Sequence, residues 1–151
     1  MFEATANLKL PLLYVGQAQK EVTHNEALAL LDTVLFPVLQ GQMSDPPATL
    51  DESDAGQRWL VGAAASGAWT GNEEKIACWT GTGWRFSVIP DMFRVYRSDL
   101  GYETVRIGGS WIFADAVADP IGGSTIDAEA RASIAAILTF LRSTGQIPDG
   151  E

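Results

Sequence analysis

The sequence predicts an α+β protein: a small antiparallel β-domain, a barrel or a sandwich, with an amphipathic helix before it and a second helix after it. Two observations predict the β-domain. All five tryptophans fall between Gln57 and Trp111, beside turn glycines, as in Gly67-Ala68-Trp69-Thr70-Gly71 and Gly108-Gly109-Ser110-Trp111. No helical period runs through that stretch. Short β-branched and aromatic runs are cut by Gly, Asn and Asp, which is the pattern of short strands joined by tight turns. On either side, apolar residues return at threes and fours, and this predicts the helices.

Three parts follow in order: an arm and helix over 1–40, a Trp/Gly-rich β-domain over 41–114, and a linker with a helix over 115–151. In the arm, Pro11 blocks a helix interior and Gly16 closes the apolar run of Leu8, Leu10, Leu12, Leu13, Tyr14 and Val15. An extended segment packing across a neighbour, in its own or another subunit, is the expectation. From Gln17 to Phe36, Ala18, Val22, Ala29 and Thr33 mark an apolar stripe that Leu28, Leu31 and Leu35 widen. Gln19, Lys20, Glu21, Asn25 and Glu26 supply the polar face, and Pro37 ends the helix.

Residues 41–56, rich in Pro, Asp, Ser and Gly, read as a long loop. Strands are predicted near 57–62, 74–80, 83–89, 93–98, 102–107 and 110–114, with hairpin turns at Thr80–Gly83 and at Gly108-Gly109. After a second loop, Asp127 caps the last helix, and Ala130, Ile134, Ile137, Leu138 and Leu141 form its stripe. Gly145 suits a left-handed terminator, and Pro148 prevents resumption. This helix packs either on its own domain or on a copy of itself.

Hydrophobic residues make up 46% of the chain and charged ones 19%, which excludes wholesale disorder. A formal charge of −9 disfavours a nucleic-acid surface, which needs clustered Lys and Arg. The single cysteine, Cys78, allows no intramolecular disulfide, so assembly in a bacterial cytoplasm is expected. No secretory leader is visible, and the apolar runs fall far below the ~20 residues that span a bilayer, so no membrane insertion is expected.

Sites of chemistry are sparse. His24, with Glu21 one turn before it, supplies only two of the three or four ligands a zinc site takes, so no metal and no cofactor is expected. Cys78, between Ala77 and Trp79, reads as a small buried hydrophobe. Nothing places two of the acids Glu73, Glu74, Asp91 and Asp99 across a cleft, so no catalytic residue is assigned and no enzyme is expected. Large rings fill small sheet cores, which assigns most of the tryptophans to the interior. Trp69, in its glycine-flanked loop, is the expected exposed one and the candidate glycan contact. Arg85, Arg94, Arg97 and Arg106 either bind an anionic polysaccharide or pair with acids such as Asp91, Asp99 and Glu103.

Ala6-Asn7-Leu8-Lys9-Leu10-Pro11-Leu12-Leu13 and Gln17-Ala18-Gln19-Lys20-Glu21-Val22-Thr23-His24-Asn25-Glu26-Ala27-Leu28 resemble a family known only as a domain of unknown function. It is widespread in phage, prophage and gene transfer agent particle proteins of alphaproteobacteria. Gly56-Gln57-Arg58-Trp59, Ala68-Trp69-Thr70-Gly71, Gly83-Trp84-Arg85-Phe86 and Gly109-Ser110-Trp111 continue the likeness, and Ile126-Asp127-Ala128-Glu129-Ala130-Arg131 is similar to the tail of gene transfer agent members. The resemblance implies a virion structural protein: a homo-oligomeric adaptor holding a head spike or fibre on the particle, at a five-fold capsid vertex, as a pentamer. Its implied partners are itself, a capsid protein and a spike fibre protein. Leu12, Tyr14, Ile134, Ile137 and Leu141 are the candidate subunit contacts. A carbohydrate-binding module contacting host surface polysaccharide is the alternative.

Overall fold

The computed structural model describes residues 4–150. The elements, in order, are α1 (Lys20–Val34), β1 (Val38–Leu39), β2 (Gln42–Met43), β3 (Arg58–Val61), β4 (Ile76–Trp79), β5 (Trp84–Ser87), β6 (Arg94–Arg97), β7 (Tyr102–Ile107), β8 (Ser110–Ile112) and α2 (Ala128–Ser143). The architecture is α+β, as the sequence predicts. The chain divides between Pro90 and Asp91 into two compact units.

In the first unit, β2, β3, β4 and β5 form a mixed sheet in that order. β3, β4 and β5 run antiparallel, with Trp59 opposite Ala77 and Ala77 opposite Phe86. The expected loop over 41–56 holds β2, which joins β3 in parallel, Gln42 opposite Leu60 and Met43 opposite Val61. It also holds a single 3-10 turn, Glu52–Asp54, whose start Asp51 caps by accepting from the Ser53 amide.

Because side chains alternate along a strand, this sheet has two unlike faces. One carries Trp59, Val61 and Ala77, which enclose Trp69 with Trp79, Trp84 and Phe86 packed around them. The rings meet edge to face, Trp69 to Trp84 at 5.0 Å and Trp59 to Trp84 at 5.6 Å between centroids. The other face aligns Arg58, Cys78 and Arg85 in register. Arg58 reaches the carbonyls of Thr33 (2.9 Å) and Phe36 (2.8 Å), so a buried cation closes the negative end of α1.

α1 starts three residues later than expected, because Ala18 and Gln19 adopt left-handed φ of 57° and 65°. Its faces also depart from the predicted stripe. Thr33 is buried as predicted, but Glu21 and Asp32 are buried with it, while Val22, Leu31 and Leu35 are exposed. The reason lies in the arm. Residues 4–13 fold back on themselves through an Ala4–Pro11 bridge and lay amides against Asp32, and the Gly16 and Gln17 amides meet Glu21, so these two acids turn inward. Residues 1–3 of the expected arm lie outside the described residues.

In the second unit, β6, β7 and β8 form an antiparallel meander. Burial alternates along β6: Val95 and Arg97 are buried, Arg94 and Tyr96 exposed. Gly108 and Gly109 take φ of 60° and 83°, the double left-handed turn that suits a two-residue hairpin. The Asp91 carboxylate accepts from both of their amides at 3.0 Å. α2 is capped by Asp127, which accepts from Ala130 at 2.9 Å. Its far end closes with paired bonds, Gln146 N–H to Leu141 O and Gly145 N–H to Arg142 O, around a left-handed Gly145. Gly145 O in turn accepts from Glu103 in β7 at 2.7 Å, so this helix end docks on its own meander.

Candidate functional site

In the first unit the arm, α1 and the sheet surround a cleft of about 400 Å³. Asp32 holds one wall together. Its carboxylate, in a residue only 4% exposed, accepts from Thr5 Oγ1 (2.8 Å), Asn7 N (3.0 Å), Asn7 Nδ2 (2.9 Å) and Leu8 N (2.6 Å). Burial pushes its pKa up. The bonds from Leu8, Asn7 and Thr5 outweigh that and hold the carboxyl below the ordinary range. Asn25 fastens the arm a second time through both side-chain atoms to Leu13.

Small residues line the cleft, Ala6, Ala29, Ala55 and Gly56, together with Trp79, Arg85, Glu26 and Glu52. Arg85 and Glu26 pair at 2.6 Å. The Trp79 indole donates to Asp51 O at 2.8 Å, which fixes the ring. Cys78 lines the cleft too, and burial pushes its thiol pKa up, the reverse of an activated nucleophile.

In the second unit α2 is apolar over more of its circumference than its own packing covers. Leu138 is buried and Leu141 half-buried, whereas Ile134, Ile137 and Phe140 are exposed, as are Ile121 and Ile126 before the helix. Arg131 donates to the carbonyls of Pro120 and Gly122, and Arg142 to Val117 O and Asp119. Two arginines thus tie the linker to α2.

The stretch holding α1, the tryptophan cluster, Asp32 and the Asp91 turn matches a known family. Residues 24–112 fit the profile of "Protein of unknown function (DUF2793)", more than half of the 151 residues. The chain belongs to the DUF2793 family. Neither a curated protein nor a solved structure matches it. The DUF2793 match runs from α1 through β8, so the folded arm and α2 fall outside it.

The candidate residues of this DUF2793 chain scatter. Leu12 is half-buried and lines the cleft; Tyr14 is exposed beside it in sequence; Ile134, Ile137 and Leu141 lie on α2 in the other unit. Trp69 requires correction. It is 0% exposed, because the 3-10 turn Gly67–Trp69 folds its ring back among Trp59 and Trp84, so no sugar reaches it. His24 is exposed on α1, and among the described residues no three His, Cys, Asp or Glu are grouped to hold a metal ion.

Of the four arginines, Arg85 pairs with Glu26, Arg97 with Asp99 at 2.7 Å, and Arg106 with Asp91 at 3.5 Å. The Arg97 bonds hold the Asp99 carboxyl below its ordinary range, against the effect of burial. Asp32 is the residue that sequence reasoning missed. Its only signal is a carboxylate inside the apolar run Leu30-Leu31-Asp32-Thr33-Val34.

Proposed function

We propose that this DUF2793 protein is a virion structural protein: a homo-oligomeric adaptor, or base, that attaches a head spike or fibre to a phage-like gene transfer agent particle and so supports host-cell adsorption. The arm motif and the Ile126–Arg131 segment, similar to those of a gene transfer agent head-spike base protein, supply the particle, the capsid and fibre partners and the five-fold vertex. The protein is assembled in the bacterial cytoplasm and resides in the particle.

The observation that carries self-association is the uncovered face of α2. Ile134, Ile137 and Phe140 expose apolar surface beside Ile121 and Ile126. A run of large apolar side chains left in water favours a copy of the same face, since a symmetric contact covers both at once. Light scattering on the eluting full-length protein tests it. The wild type is expected to exceed the monomer mass and Ile137→Glu to elute as a monomer with unchanged circular dichroism. A wild type that stays monomeric at high concentration ends the adaptor reading. Imaging particles with and without the protein tests the location, through loss of a surface appendage.

A further inference from the structure

We propose that the folded arm is exchanged between copies of this chain, so that Asp32 and Asn25 on α1 of one copy receive residues 4–13 of another; this rests on the self-association of the adaptor reading. The hinge between arm and helix carries the argument. Gln17, Ala18 and Gln19 are good helix formers, yet α1 begins only at Lys20. Ala18 and Gln19 stand instead at left-handed φ of 57° and 65°, a conformation that L-residues with a Cβ resist. Gly16 ahead of them takes a φ of 102°. Residues that favour a helix are thus held out of it, and this turns the arm back onto its own α1. Glu21 latches the turn, its carboxylate accepting from the Gly16 and Gln17 amides at 3.1 and 3.2 Å.

The arm travels as a piece. It is bridged on itself at Ala4 and Pro11, and Thr5 N donates to Leu10 O at 3.0 Å. It grips the helix through residues twelve or more positions away: Thr5, Asn7 and Leu8 on Asp32, and Leu13 on Asn25. Those bonds do not depend on arm and helix sharing a chain. The seat also fits this occupant closely, since a Cβ at Gly56 would come 2.8 Å from that of Ala6. A neighbour's arm makes the same contacts, while the straightened hinge adds Gln17, Ala18 and Gln19 to α1, about 4.5 Å of helix. Exchange therefore keeps the grip and removes the left-handed pair, against the loss of the two Glu21 bonds. The α2 contact holds copies side by side and raises the effective concentration of a foreign arm. Each chain gives one arm and takes one, so exchange closes a pair or a ring alike.

The test asks whose arm occupies the dock. Two batches of full-length chain, one with protonated, isotope-labelled alanine methyls and one with protonated glycine, both otherwise deuterated, are refolded together from urea. The Ala6 methyl lies against Gly56, so a nuclear Overhauser contact between them in this mixture arises only between chains. A second sample dilutes doubly labelled chains in an excess of deuterated ones and reports the contact within a chain. The contact is expected in the mixture and is expected to be lost on dilution. A contact confined to the diluted sample overturns the proposal. Light scattering supplies a second measurement. Ala18→Gly with Gln19→Gly relieves the left-handed pair without exchange, and should move the dissociation midpoint to about 10-fold higher concentration. An unchanged midpoint also overturns the proposal. A wild type that is oligomeric with its arms held in their own chains leaves the adaptor reading in place; a monomeric wild type ends both.

Discussion

Asp32 shows how much one side chain can organise. Four donors from the arm converge on it. Asp32→Asn keeps the shape but removes the charge and one acceptor, leaving N–H groups facing an amide. A loss of roughly 2–4 kcal/mol is expected in urea unfolding, with faster proteolysis in residues 4–13. The pH dependence follows from the direction of the shift. A carboxyl held below its ordinary value contributes stability above the unfolded pKa of about 3.9, and that contribution disappears as pH falls through the folded value. Wild-type urea midpoints should therefore drop below about pH 4, and Asp32→Asn should flatten that part of the profile. Trp69 makes the complementary case. Truncation to alanine empties the middle of the ring cluster, and about 3–5 kcal/mol is expected by denaturant titration. Neither residue was legible by itself. Flanking glycines announce a turn but not which way its side chain folds, and an acid in a helix is polar until an arm elsewhere in the chain supplies its donors.

Among the elements, those written locally came through. The Asp127 cap, the left-handed Gly145 and the Gly108-Gly109 hairpin all depend on residues a few positions apart, and all are present. What failed depended on distant partners. β2 has two residues in a Pro- and Asp-rich run and exists only by pairing with β3, more than a dozen positions on. Apolar spacing marks the α1 stripe, but it does not carry the side on which the arm lays its donors. Gly145 is the position where local and distant demands meet. A Cβ there would come 3.0 Å from Tyr96 Cε2 and 3.3 Å from Gly101 O, at a φ of +67° that side chains avoid. Gly145→Ala is expected to cost about 1–2 kcal/mol, read as a lower thermal midpoint. Removing α2 altogether is a poorer experiment than its position in the sequence suggests, because Gly145 O bonds Glu103 in the meander. A point change on its outer face leaves that bond in place.

For the molecule as a whole, fold class was the most legible property and the partner the least. Composition and periodicity report how much apolar surface a chain has; only coordinates show which part stays uncovered, and it is here the outer side of α2 and the exposed leucines of α1. If α2 carries the self-contact, the Ile134→Ser and Ile137→Ser pair should lower the association constant about 10-fold or more in sedimentation equilibrium. Such experiments need a signal that reports the first unit without labels, and the ring cluster provides one. Indoles at 5.0–6.4 Å between centroids couple their excited states, so the native chain should show an exciton couplet in its circular dichroism. That couplet will distort any helix content read from the same spectrum, and it will vanish when the sheet opens.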